Sequence, residues 1–240
     1  MTPASPKPPI DSVQFVVHPD PWWQDEPAQT LVRGRLVRAF IPFVEQQPFV
    51  LVPEGRSDPL SHEKATYRMV PFGAKDRQPP PQIPVAGLPH AKGERRFVYR
   101  GKVRPALVLS VGGDDVPHSL VPTAARWITS KTILVAPYFG ADQDGSRGGW
   151  PPAFVQRIRR AAYPQYVWDY LPLGDVQESI LRLDQIQAIG SDPKSLEVMP
   201  YRLADVPMQI LDEWLSWLIQ GGLPPDGLLS GLREGLLNAD

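Results

Sequence analysis

The sequence contains no cysteine. Disulfides, a catalytic thiolate and Cys-ligated zinc are therefore excluded, and a reducing compartment is the expected setting. An excess of charge is lacking too: 25 Lys and Arg stand against 26 Asp and Glu, a formal net charge of −1. No global field draws the chain to nucleic acid or to an anionic membrane, so any basic site has to be local. No apolar run approaches the length that spans a bilayer. Met1–Pro9 is proline-rich and has no apolar stretch of signal-peptide type. These absences predict a soluble, cytoplasmic protein with no membrane contact. Histidine is scarce. His18, His62, His90 and His118 lie far apart without metal-ligand spacing, so no metal and no cofactor is expected. Asp142-Gln-Asp-Gly145 hints at a calcium loop but lacks the closing Glu, and is discounted.

Proline, by contrast, is abundant, with 30 in 240 residues. Each removes a backbone donor and fixes φ, which shortens helices and favours strands joined by irregular loops. With 42% apolar residues the chain can still build a sizeable core. The predicted class is a β-rich α+β fold.

One stretch organises the rest: Gly101-Lys-Val-Arg-Pro-Ala-Leu-Val-Leu-Ser110. Pro105 suits the first residue of a strand, and Ala106–Leu109 is a short apolar run of buried-strand type. Arg104 is then held at a sheet rim, where it can grip a phosphate with two parallel donors or merely solvate a strand end. Before it lies a basic segment, with Lys92, Arg95, Arg96, Arg100, Lys102 and Arg104 against Glu94 alone. Phe97, Val98 and Tyr99 interleave with these charges. The segment reads equally as a contact for a polyanion such as RNA and as a strand with a solvated charged face. His90 and His118 flank the stretch, as site members or as exposed loop residues.

Further elements follow from periodicity. Strands are predicted at Ser12–His18, Leu31–Phe43, Phe49–Val52, Arg68–Phe72, Thr132–Val135, Tyr166–Leu171 and Ser179–Ile189. Trp22-Trp23 is expected to plug a barrel end, with base stacking as the alternative. Arg56–Lys92, which includes Pro79-Pro80-Pro81, reads as a long surface excursion. A helical turn is expected near Thr123–Trp127, and Gly140–Gly149 is a loop. Pro152–Ala162, with Arg157, Arg159 and Arg160, is a short helix. The clearest helix starts at Asp205 as N-cap, has Pro207 in its first turn and stops at Gly221-Gly222. A weaker one spans Asp226–Asn238.

Three of these blocks fall into one pattern: Gly101–Ser110, Thr132-Ile-Leu-Val-Ala-Pro137 and Ser179-Ile-Leu-Arg-Leu-Asp-Gln-Ile-Gln-Ala-Ile189. In that order they resemble the PemK/MazF-like toxin endoribonucleases. Gly34 with its flanking strand is similar to the family's opening turn, and the Asp205 helix stands where its last helix stands. The resemblance implies an SH3-like barrel over residues 31–222, with insertions at 56–92 and 140–163 and extensions at 1–30 and 223–240. It implies a metal-independent endoribonuclease of toxin-antitoxin type that cleaves single-stranded RNA as a homodimer and is neutralised by an antitoxin protein. Arg104 matches the arginine that holds or protonates the scissile phosphate. Arg182 and Asp184 match the acid and base around 2′-hydroxyl attack; two apart in a strand, they share a face, which also suits a simple surface ion pair. Lys92, Arg95, Arg96, Arg100 and Lys102 are the implied RNA contacts. Two positions depart from the pattern. Tyr138-Phe139-Gly140 stands where most members carry a catalytic Thr or Ser, so only the Tyr138 phenol can offer a hydroxyl there. Gln187 replaces a basic residue. A non-catalytic SH3-like barrel that binds RNA or a protein is the alternative these departures raise.

Overall fold

The apolar runs around Val108 and Val135 meet as neighbouring strands of an eight-stranded sheet. The computed structural model describes residues 7–58, 60, 65–73, 95–114, 116–120, 131–141, 149–174, 178–192 and 194–238. His62, His90, Lys92, the Pro79–Pro81 run, the Thr123–Trp127 turn and Asp142–Gly145 lie outside the described residues. The chain divides into two compact units: Met1–Phe40 with Val103–Asp240, and Ile41–Lys102. The architecture is mixed α+β and strand-rich, with a curled antiparallel sheet and C-terminal helices.

In chain order the elements are α1 (Val13–Val17), β1 (Trp23–Asp25), β2 (Arg35–Pro42), β3 (Phe49–Arg56), β4 (Ala65–Pro71), β5 (Phe97–Val98), β6 (Gly101–Ser110), β7 (Thr132–Gly140), α2 (Pro152–Arg159), β8 (Tyr166–Tyr170), β9 (Glu178–Arg182), β10 (Gln187–Gly190), β11 (Leu196–Leu203), α3 (Asp205–Gln220) and α4 (Leu228–Leu237). The large sheet runs β1-β11-β2-β6-β7-β9-β8, and β10 also pairs with β7. The sheet β4-β3-β5 is separate.

One edge of β7 serves two partners. Thr132–Val135 pairs with β10, and Tyr138–Gly140 pairs with β9. Between β9 and β10 the chain makes a 3-10 turn, Leu183–Gln185. The expected single strand over Ser179–Ile189 is therefore broken in its middle. Pro137 lies in the gap between the two sets of partners, where a missing N–H is tolerated, and β7 continues past it. Pro105 likewise lies inside β6 rather than at its start.

The sheet of the first unit is covered on both faces. Leu107, Tyr138, Val167 and Leu181 join Val13 and Val17 of α1, Ile210, Leu211 and Trp214 of α3, and Leu229 and Leu236 of α4. On the other face Trp168 and Ile180 pack against Val155 and Ile158 of α2. Neighbouring Ile180 and Leu181 are thus both buried, which explains why Ser179–Ile189 lacks strand alternation.

Three local differences from the sequence reading have plain causes. Val13–Val17 is helical because the Ser12 hydroxyl caps the Phe15 N–H at 3.1 Å, and Val13 and Val17, four apart, share the buried face. The N-cap of α3 is Ala204, and Asp205 is its first residue, where a carboxylate still favours the helix dipole. β11 carries Pro200 within a register shift between Val198 and Arg202, a break that hides a strand from pattern reading.

Two residues at the start of β2 fix the first unit. Gly34 has φ +80°, and a Cβ there would meet Met208 Sδ of α3 at 2.6 Å. Its N–H donates to Val108 and its carbonyl accepts from Leu203, so the turn links β6 and β11. Arg35 is buried, and its guanidinium donates to the carbonyls of Glu26, Ala28, Thr30 and Met199 at 2.7–3.3 Å. Burial lowers its pKa, opposed by the Glu26 charge. Among the described residues no helix is long and apolar enough to cross a membrane.

Candidate functional site

Register alone brings the matched residues together. Phe139 faces Ile180 across β7 and β9, and Arg182 faces Tyr166 across β9 and β8. Ile180 and Arg182 are two apart, so all four share one face of the sheet. Ala106 faces Pro137, and two residues further out Arg104 meets Phe139 on that same face. The Arg104 guanidinium carbon lies 4.0 Å from the centre of the Phe139 ring. That of Arg182 lies 5.5 Å from Phe139, 5.2 Å from Tyr166 and 5.8 Å from Trp150. Each distance falls within the reach of a cation–π attraction. Two arginines from different strands therefore converge on one phenyl ring, and three rings box the second of them.

Asp184 joins this group through the turn after β9. Arg182 Nε donates to one carboxylate oxygen at 2.7 Å, and Nη2 donates to the other at 2.6 Å. The pairing is bidentate and fixes both side chains. Side-chain exposure is 15% for Arg182 and 30% for Asp184, so the carboxylate is the more open partner. Each of its oxygens takes one bond from Arg182 and keeps a second lone pair.

α2 and Trp150 wall the group on one side. Trp150, Phe154, Tyr163 and Tyr166 form a connected set of rings with centroids 5.3–6.3 Å apart. This aromatic wall belongs to residues 150–163 and to β8. Sequence reading missed it, although Trp150, Phe154 and Tyr163 flank the α2 arginines. Arg157 donates to the Tyr163 hydroxyl at 3.3 Å, while Arg159 is turned to Glu178 and Asp11.

Tyr138 does not supply the missing hydroxyl. It points to the opposite face and donates to Asp169 at 2.9 Å. Asp169 also accepts from the Trp23 indole at 3.1 Å. Burial, with the Asp169 charge next, pushes the Tyr138 phenol well above its usual value. The adjoining cavity is about 10 Å³, lined by Trp22, Leu107 and Trp214 among others, and holds nothing larger than a water. Trp22 is buried in this core and Trp23 is tied to Asp169, which places the tryptophan pair within the fold.

Burial raises the Asp169 carboxyl to about 7, and the hydrogen bonds from Trp23 and Tyr138 only partly oppose it. The folded protein then holds this proton more tightly than the unfolded chain does. The contribution is full below about pH 4 and is lost as the pH rises to about 7. It amounts to on the order of 4 kcal/mol. Thermal melts across this window should show stability falling with rising pH, and Asp169→Asn should flatten that slope.

Arg104 alone of the basic segment's cations falls in the first unit, and the segment as far as Lys102 belongs to the other. There Arg95 lies 5.4 Å from the Phe72 ring centre, and the Arg96 and Arg100 carbonyls accept from Leu51 and Phe43. Arg100 and Lys102 are exposed. Gln187, the other departure, opens β10 opposite Val135.

Neither a protein-family model nor a curated protein matches this chain.

Proposed function

We propose that the Arg104–Phe139–Arg182–Asp184 face is the active site of a cytoplasmic, metal-independent endoribonuclease that cuts single-stranded RNA on an SH3-like, PemK/MazF-type barrel. One observation carries the reading: Arg104 and the Arg182–Asp184 pair, far apart in sequence, meet on a single ring. Asp184 takes the proton of a ribose 2′-hydroxyl, using a lone pair that Arg182 leaves available. The 2′-oxygen attacks phosphorus and the P–O5′ bond breaks. Arg104 offsets the charge that builds on the phosphoryl oxygens. Arg182 orients the base and serves as the acid that protonates the departing 5′-oxygen. The products are a 2′,3′-cyclic phosphate and a 5′-hydroxyl. A homodimer restrained by an antitoxin protein completes the proposal.

A second reading is binding without cleavage, and Phe139 favours it. The ring occupies the position of the family's hydroxyl and serves as a platform for guanidinium groups. A single experiment separates the two. Single-stranded RNA incubated with the protein in EDTA should yield fragments ending in cyclic phosphate. A 2′-deoxy substitution at the cut site should abolish that product. RNA that is bound yet stays intact at saturating protein rejects the nuclease and leaves the binding reading.

A further inference from the structure

We propose that the unit Ile41–Lys102 carries a binding site of its own for single-stranded RNA, formed by the rings of Phe72, Phe97 and Tyr99 with Arg95, Arg100 and Lys102. It requires no chemistry from the Arg104 face, and it stands if that face proves inert.

Charge segregation is the first observation. The unit carries ten Lys and Arg against six Asp and Glu, whereas the rest of the chain carries fifteen against twenty. The unit thus has a net charge of +4 and the rest of the chain −5, a local basic excess of the kind a polyanion contact needs. Within it, residues 95–102 contain no acidic side chain. Glu54, on β3, is engaged by Arg68 at 3.0 Å.

The second observation is aromatic. Phe97 meets Phe72 edge-on with centroids 5.0 Å apart, and Tyr99 follows 6.4 Å from Phe97. Phe97 is 42% exposed and Tyr99 37%, so neither ring is spent wholly on the core. Arg95 lies against Phe72, while Arg100 and Lys102 continue the charge beyond Tyr99. Open rings beside cations on a small sheet suit unpaired bases: every base has a π-face, and the cations meet the phosphates. A duplex keeps its bases stacked on one another and has no use for the rings. The site should therefore prefer single strands with little regard for sequence.

The test uses the full chain carrying Arg104→Ala and a 2′-O-methyl oligoribonucleotide, which has no hydroxyl to attack. Failure of the cleavage reading thus leaves this result unaffected. Anisotropy should show saturable, salt-sensitive binding. Adding Phe97→Ala and Tyr99→Ala should weaken it about 10- to 100-fold. Arg100→Gln with Lys102→Gln should reduce the slope of log affinity against log salt by about 1.4, two phosphate contacts' worth. Unchanged affinity in a folded Phe97→Ala/Tyr99→Ala protein overturns the proposal, as does equal affinity for the matching duplex. Should the alanine pair fail to fold, Phe97→Trp with Tyr99→Trp must retain binding and the exposed charge pair must weaken it with the stated drop in salt slope; any other pattern rejects the site.

Discussion

Arg104→Ala should lower RNA cleavage about 1,000-fold, the scale seen when one preorganised donor to a developing charge is removed. The guanidinium is stacked on Phe139 at 4.0 Å, so its planar donors are oriented before substrate arrives. Lysine keeps the charge but not the plane, and Arg104→Lys should recover only a small part of the rate. Arg104 is partly exposed near the outer end of β6, while the run from Ala106 to Leu109 buries the strand. The variant should therefore melt close to the parent. The measurement is the single-turnover cleavage rate in EDTA beside a thermal melt. Cleavage within about threefold of the parent would remove Arg104 from the chemistry.

The second large effect concerns stability. Arg35→Met should cost on the order of 4 kcal/mol, because it strips the donors from four partly buried carbonyls at once. Those carbonyls come from Glu26, Ala28, Thr30 and Met199, so one side chain closes the loop ahead of β2 and ties it to β11. Arg35→Lys, with three donors on a flexible stem, should fall between the two. Urea unfolding gives the comparison, and a loss below about 1 kcal/mol would show that solvent or the backbone can replace the guanidinium.

Much of the site was legible in the sequence because it depends on strand register. The runs Ala106–Leu109, Ile133–Val135 and Ile180–Leu181 announce buried strands, and register then carries Arg104, Phe139 and Arg182 to one face. Two-residue spacing within a strand predicts the Arg182–Asp184 pair, whereas it forms across the turn that ends β9. What escaped depends on competition between local signals. Val13, Phe15 and Val17 satisfy a strand's alternation and a helix's four-residue spacing alike, and the Ser12 cap decides between them. Pro200 disguises β11, and the buried partnership of Tyr138, Asp169 and Trp23 joins three strands that no linear pattern links. The aromatic wall escaped for a related reason: Trp150, Phe154 and Tyr166 become neighbours only after α2 folds back over β8. Arg35 gave no sign at all, since its carbonyl partners are invisible in residue types.

The turn that bears Asp184 is clamped at both ends by ladders to the same strand, β9 to Tyr138–Gly140 and β10 to Thr132–Val135. The carboxylate is therefore located by main-chain scaffolding as well as by its arginine. Any sliding of that elbow would have to strip two ladders together, which sets its tolerance for motion well below that of an ordinary surface turn. Binding can rotate the Asp184 side chain, but it cannot readily carry the main chain beneath it out of reach of the Phe139 platform.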